Sequence, residues 1–181
     1  MLIQIQKRLR LYARSNRGTA AVEFAILAPL LIIIYWGLAD LAIGMTANRK
    51  AAHLTATMGD LVAQSESVTT DNVNDIFELG SSLLKPFPAG TKLQIRISSV
   101  TRDSVTQIIK KDWDQRRNWQ GTGDVDVSGL TTDQLPVGES LIITEVVYDF
   151  TPPIAQFLPV NTTFKKKAFH HPRSGSYIPL K

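Results

Sequence analysis

The sequence predicts an α+β chain. A long N-terminal transmembrane helix continues into a small exported domain built on an antiparallel sheet of about four strands. Two changes of pattern carry this reading. Residues 24–39 hold no charge, and only Asp40 interrupts the apolar run before Ala47. From Thr91 onward the apolar period changes from that of a helix to two, so alternate residues face opposite sides of a strand. Length sets the scale: of 181 residues, about 120 remain beyond a leader and a span, enough for one small domain.

A membrane-spanning helix needs about 20 apolar residues. A secretory signal has an apolar core of about 7–15 residues and a small-x-small cleavage site at its far end. Here the run is longer and passes into a further helical pattern, which favours a span over a cleaved signal or a buried soluble helix. Ahead of it lie Lys7, Arg8, Arg10, Arg14 and Arg17, with no acid before Glu23. Basic residues flanking a span are retained in the cytoplasm. Residues 1–18 are therefore expected inside, with the C-terminal domain beyond the inner membrane. The same five residues account for the formal charge of +4, because without them 15 of the 20 basic residues face 16 acidic ones. The basic balance thus reflects topology and does not indicate a nucleic-acid surface.

The span is assigned to residues 19–47 and its exported continuation to 48–66, read together as one helix. Pro29 is a kink candidate, since it lacks an N–H and clashes with the carbonyl four residues back. Beyond Leu41 an amphipathic stripe is expected from Ala42, Met45, Leu54, Met58, Leu61 and Val62. Gly37 and Gly44 suit close helix contact. Arg49 and Lys50 mark the outer interface, with their stems snorkelling. Residues 67–181 form the exported domain. Thr70 or Asp71 caps a short helix carrying Val73, Ile76, Phe77, Leu83 and Leu84, which Pro86 and Pro88 end.

Leu93, Ile95 and Ile97 alternate with polar partners, as in a strand with one wet face. Residues 101–104 make a hairpin turn into a second strand over Val105–Trp113. Leu141–Phe150 is the strongest strand by its β-branched and aromatic content, and Thr162–His170 is the fourth. Residues 118–140 read as loop. Thr151-Pro152-Pro153 ends the third strand, and Pro159 interrupts the segment that follows.

Glu23 is the most telling residue. A carboxylate within a membrane segment is costly and usually functional. Its surroundings are Arg17-Gly18-Thr19-Ala20-Ala21-Val22-Glu23-Phe24-Ala25, then Pro29, Gly37 and Asp40. This order resembles the N-terminal signature of the TadE/TadF-like minor pilins, or pseudopilins, of tight-adherence (Tad, Flp-type) pilus systems. The resemblance is sharp over residues 14–52. It implies that a prepilin peptidase cuts between Gly18 and Thr19, and that Glu23, fifth in the mature chain, aids subunit assembly together with Phe24, which stands where major Flp pilins commonly have Tyr. It further implies an inner-membrane minor pilin, partnered by the other Flp pilins and the assembly machinery, with a role at a pilus tip or in priming assembly for adhesion. Within the mature chain the new amine at Thr19 lies about one turn from Glu23, although the resemblance points to a neighbouring subunit's N-terminus as the usual partner. Two other readings stay open: an anchor that is never cut, and an exported enzyme or adhesin carrying a pilin-like anchor.

The remaining constellations have plainer readings. Asp124-Val125-Asp126-Val127-Ser128-Gly129 resembles the start of a calcium loop. Such a loop ends in a bidentate Glu at its twelfth position, where this chain has Leu135; Asp133 is nearby at the wrong spacing. Lys165-Lys166-Lys167 reads as a protected edge strand. Lys110-Lys111 and Arg116-Arg117, interleaved with Trp113 and Trp119, read as structural, not as a single-strand platform. His53, His170 and His171 form no metal or nucleophile pattern. No enzyme, cofactor or metal is expected, and the absence of cysteine excludes disulfides and thiolate chemistry.

Overall fold

The computed structural model describes residues 17–154, 161–174 and 177–181. Lys7, Arg8, Arg10, Arg14 and Pro159 lie outside the described residues. Helix α1 is one 47-residue element, Arg17–Ala63, assigned without a break through Pro29. It ends three residues before the expected limit. There Gln64 and Ser65 bond back to the carbonyls of Asp60 and Val62.

Helix α2 spans Thr70–Leu83, and its cap is Thr69, not Thr70 or Asp71. The Thr69 hydroxyl accepts from the Asn72 N–H while the Asn72 side chain accepts from the Thr69 N–H, both at 3.1 Å. Such a reciprocal box satisfies two helix-start donors at once, which a cap at Thr70 or Asp71 would not do here. The helix stops ahead of Pro86 and Pro88, as expected.

Four strands follow: β1 (Leu93–Arg102), β2 (Ile109–Arg117), β3 (Ser140–Phe150) and β4 (Thr162–His170). They form one antiparallel sheet in the order β2-β1-β3-β4. The fold is therefore the expected α+β arrangement. The third and fourth strands fall where the apolar pattern puts them. The second begins four residues late, because the Asp103 carboxylate accepts from the N–H groups of Val105 and Thr106 and holds them in a turn.

The C-terminal half of α1 lies on the sheet. Ala47, Ala51, Leu54, Met58 and Val62 recur every three or four residues, all fully buried, against Ile95, Ile97, Ile142, Val146 and Tyr148. The buried stripe differs from the expected one. Ala42 and Met45 are exposed, Leu61 is half-buried, and two alanines take up the close approach. Small residues let the helix backbone sit near the sheet.

The expected wet face of β1 is not wet. Gln94, Arg96 and Ser98 are buried. Irregular residues 118–139 cover that face and contribute Val125 and Leu135 to a second core cluster with Val100, Leu141 and Ile143. Arg96 is held there by Asp114 at 3.1 Å and the Gly123 carbonyl at 3.3 Å, with Trp119 over its guanidinium.

Gly59 lets α1 approach β3 and β4 closely. A Cβ at this position would meet His170 Nδ1 and sit 2.8 Å from Thr144 Oγ1. Gly59→Ala gains up to about 1 kcal/mol of helix propensity but overpacks the contact at about 1–3 kcal/mol. A lowered denaturant midpoint of the detergent-solubilised protein is expected. A raised midpoint would mean that the helix and sheet separate there without cost.

Candidate functional site

The expected processing and assembly residues lie on the first turns of α1. Gly18 and Thr19 sit in its first turn, and Glu23 lies four residues beyond Thr19, on the same face one turn away. Glu23 is exposed, and Phe24 is 67% exposed. Through residue 36 the helix is exposed almost throughout: Ile26, Leu30, Ile33 and Tyr35 are all exposed. Thr19–Ala63 contains a stretch long and apolar enough to cross a membrane, and that stretch is almost wholly unburied. A contiguous apolar surface of this extent marks an interaction site. A core helix of a soluble domain would be covered.

At Gly37 the helix meets the domain. Asp40, the one acid within the run, is only 8% exposed, and its carboxylate accepts from the Ile154 N–H at 3.2 Å. A buried charge needs such a donor. Here the donor comes from the turn after β3, 114 positions away in sequence. Gly44 allows Phe150 against the helix, since a Cβ there would lie 3.3 Å from the ring. Phe150 in turn stacks on Phe164 and meets the edge of Phe87. Gly44, expected to serve contacts between helices, thus receives a side chain of its own domain. An apolar groove of about 310 Å³ lies between Gly37, Leu41 and Met45 on one side and Phe150, Pro152 and Phe164 on the other. Sequence reading missed this junction. Its only signal was a lone acid in an apolar run, which requires a hydrogen-bond donor from somewhere.

The other candidates resolve as structural features. Asp124 is paired with Lys111, and Asp126 accepts from the Ser128 N–H and hydroxyl. The Ser128 bonds hold the Asp126 carboxyl below its usual range. Among the described residues no cluster of three His, Cys, Asp or Glu could hold a metal ion. Trp113 is a core residue donating to the Ile178 carbonyl at 2.8 Å, and Trp119 covers Arg96. Lys165, Lys166 and Lys167 do lie on an edge strand. His53 is exposed, His171 sits 3.7 Å from Glu139, and His170 faces Gly59. Burial lowers the pKa of His170, against an opposing pull from Asp60.

Residues 18–57 match the TadE-like protein family. No curated protein and no solved structure matches the chain. The TadE-like stretch begins at Gly18, spans the whole bare helix, and ends within the part of α1 that lies on the sheet. It includes Thr19, Glu23, Phe24, Asp40 and Gly44. The match supports a Tad pilus-associated protein, and the bare apolar helix within it supports a single membrane anchor.

Proposed function

We propose that the chain is a minor pilin or pseudopilin that takes part in assembly or tip structure of a Tad/Flp pilus used for surface adhesion. It is a structural subunit, not an enzyme. One observation carries the reading: an uncovered apolar helix bearing Glu23 near its start, inside a TadE-like stretch that opens on Gly18. Residues 1–18 act as a basic leader on the cytoplasmic side, and residues 67–181 as the periplasmic domain. Prepilin peptidase cuts between Gly18 and Thr19. The exposed helix then leaves lipid for a bundle of pilin helices, where Glu23 pairs with an N-terminal amine. A buried ion pair of this kind adds little net stability, because desolvation offsets attraction; its use is in setting register.

Gly18→Leu tests the reading directly, since a bulky side chain blocks the cut. The variant is expected to accumulate at full length in the inner membrane, while the wild-type protein begins at Thr19. N-terminal sequencing of mature wild-type protein that returned Met1 would refute processing and leave an uncut anchor.

A further inference from the structure

We propose that the underside of the domain, formed by the Pro86-Phe87-Pro88 turn and the Thr151–Ile154 turn with Lys85 and Lys92 beside them, is a surface that seats in the head groups of an anionic phospholipid leaflet. The proposal rests on the membrane reading above and adds to it a depth, a face and a lipid chemistry.

Helix length is the first argument. The helix is continuously exposed, apart from half-buried Ala28, only over residues 19–36. At 1.5 Å per residue those eighteen positions cover about 27 Å, short of a hydrocarbon core of about 30 Å. The available length is smaller still, because Glu23 sits five positions into the stretch. Counting about 20 residues from Phe24 brings the far boundary to Ile43, and any tilt moves it further along the helix. Gly37 already lines the groove against Phe150 and Pro152, and the Asp40–Ile154 bond fixes the second turn at that height. From about Gly37 to Ile43 the helix is therefore both at lipid depth and against the domain. No length of free helix separates the two.

The chemistry of the underside is the second argument. Ile43 and Thr46 of α1 share one cavity wall with Pro86, Phe87, Pro88, Thr151 and Pro153, which sets both turns at the same height. These turns are apolar and bear no acid. Pro86, Pro88 and Pro153 are exposed, and Phe87 is half-buried. A basic fringe accompanies them. Lys85 is exposed, Lys92 Nζ donates to Thr151 Oγ1 at 3.0 Å, and Lys50 Nζ reaches the Leu83 carbonyl at 3.5 Å. Asp40 is engaged with the Ile154 N–H and Asp149 with the Thr163 hydroxyl. An apolar rim with a cationic fringe at the end of a span matches an anionic head-group layer.

The chain contains no cysteine, so single cysteines give unambiguous probes. Full-length protein with Pro88→Cys, Pro153→Cys, Ile33→Cys or Val105→Cys would carry an environment-sensitive fluorophore. Each would be reconstituted in vesicles of phosphatidylcholine with phosphatidylglycerol. Val105 is 87% exposed in the turn between β1 and β2, at the opposite end of the sheet from Phe150. Lipid-borne quenchers should act several-fold more strongly at positions 88 and 153 than at 105, and most strongly at 33. Lys85→Glu with Lys92→Glu should reduce quenching at 88 in these vesicles and leave it unchanged in pure phosphatidylcholine. Quenching at 33 but not at 88 or 153 would keep the span and overturn the seated underside. No quenching at 33 would remove the membrane reading itself. Equal quenching with and without the lysines in anionic vesicles would overturn the head-group assignment.

Discussion

Arg96→Met is expected to destabilise the domain by about 3 kcal/mol, the low end of the cost of breaking a buried ion pair by removing one partner. Arg96 is 3% exposed and stands between Asp114, 9% exposed, and Glu145, 17% exposed. Methionine roughly keeps the volume of the side-chain stem, so the loss isolates charge from packing. Two carboxylates would then remain on a face closed by residues 118–139. Asp114 would keep Arg116 and the Ser98 hydroxyl, which is why the low end applies. Among the described residues Glu145 would keep Lys167, at 3.6 Å.

The cover should loosen as well, since the Gly123 carbonyl loses the shorter of its two bonds, keeping Arg116 at 3.5 Å, and Trp119 loses the cation beneath it. Urea denaturation in detergent, followed by tryptophan fluorescence, measures both effects. A midpoint within about 0.5 kcal/mol of wild type, the range of ordinary surface changes, would show that the network adds nothing. The pH dependence has a definite sign. Burial raises the Asp114 pKa, but hydrogen bonds from Arg116 and Arg96 outweigh it and hold the carboxyl below 3.8. Its contribution is present above that ordinary value and is lost as pH falls through the lowered one. Wild type and variant should therefore converge in acid.

Much of this fold was legible because its signals are local. The long apolar helix, α2, β3 and β4 each follow from residues within one element. The second strand was legible only in part: the expected Val105–Trp113 overlaps the first half of Ile109–Arg117, but that strand is mostly charged and has no alternation of apolar and polar residues to fix its limits. It is a strand because β1 pairs with it, and its start is set by the Asp103 side chain. The covered face of β1 was illegible for a related reason. Gln94, Arg96 and Ser98 read as solvent-facing, and only a 22-residue irregular cover, recognisable in sequence as loop but not as lid over a core, buries them.

The candidate site divides in the same way. Gly18, Thr19, Glu23 and Phe24 stand out because a carboxylate after a basic leader and inside an apolar run is chemically conspicuous. The Asp40–Ile154 bond joins residues 114 positions apart and involves a backbone donor, which no side-chain pattern announces. Gly44 was conspicuous, but its partner Phe150 was not. Such long-range pairings arise from the topology that brings the end of β3 down to the helix, and topology is the part of a fold that sequence periodicity specifies least.

Glu23→Ala is expected to abolish pilus incorporation while leaving processing and the domain intact. Glu23 lies beyond the proposed cut, so the peptidase site at Gly18 is unchanged. It is exposed and lies fourteen positions before Gly37, so no core contact is lost. In lipid the change removes a costly carboxylate and should hold the subunit more firmly in the membrane. In a helix bundle it leaves an N-terminal amine without its partner, a penalty borne only by the assembled state. Both effects push the subunit toward the membrane pool. Glu23→Asp keeps the charge and shortens the reach by one methylene, so an intermediate level is expected. The measurement is the division of processed protein between membrane and sheared-pilus fractions, read together with surface adhesion. Wild-type amounts of the Ala variant in the pilus fraction would show that the carboxylate has no assembly role and would favour an anchor that only resembles a pilin.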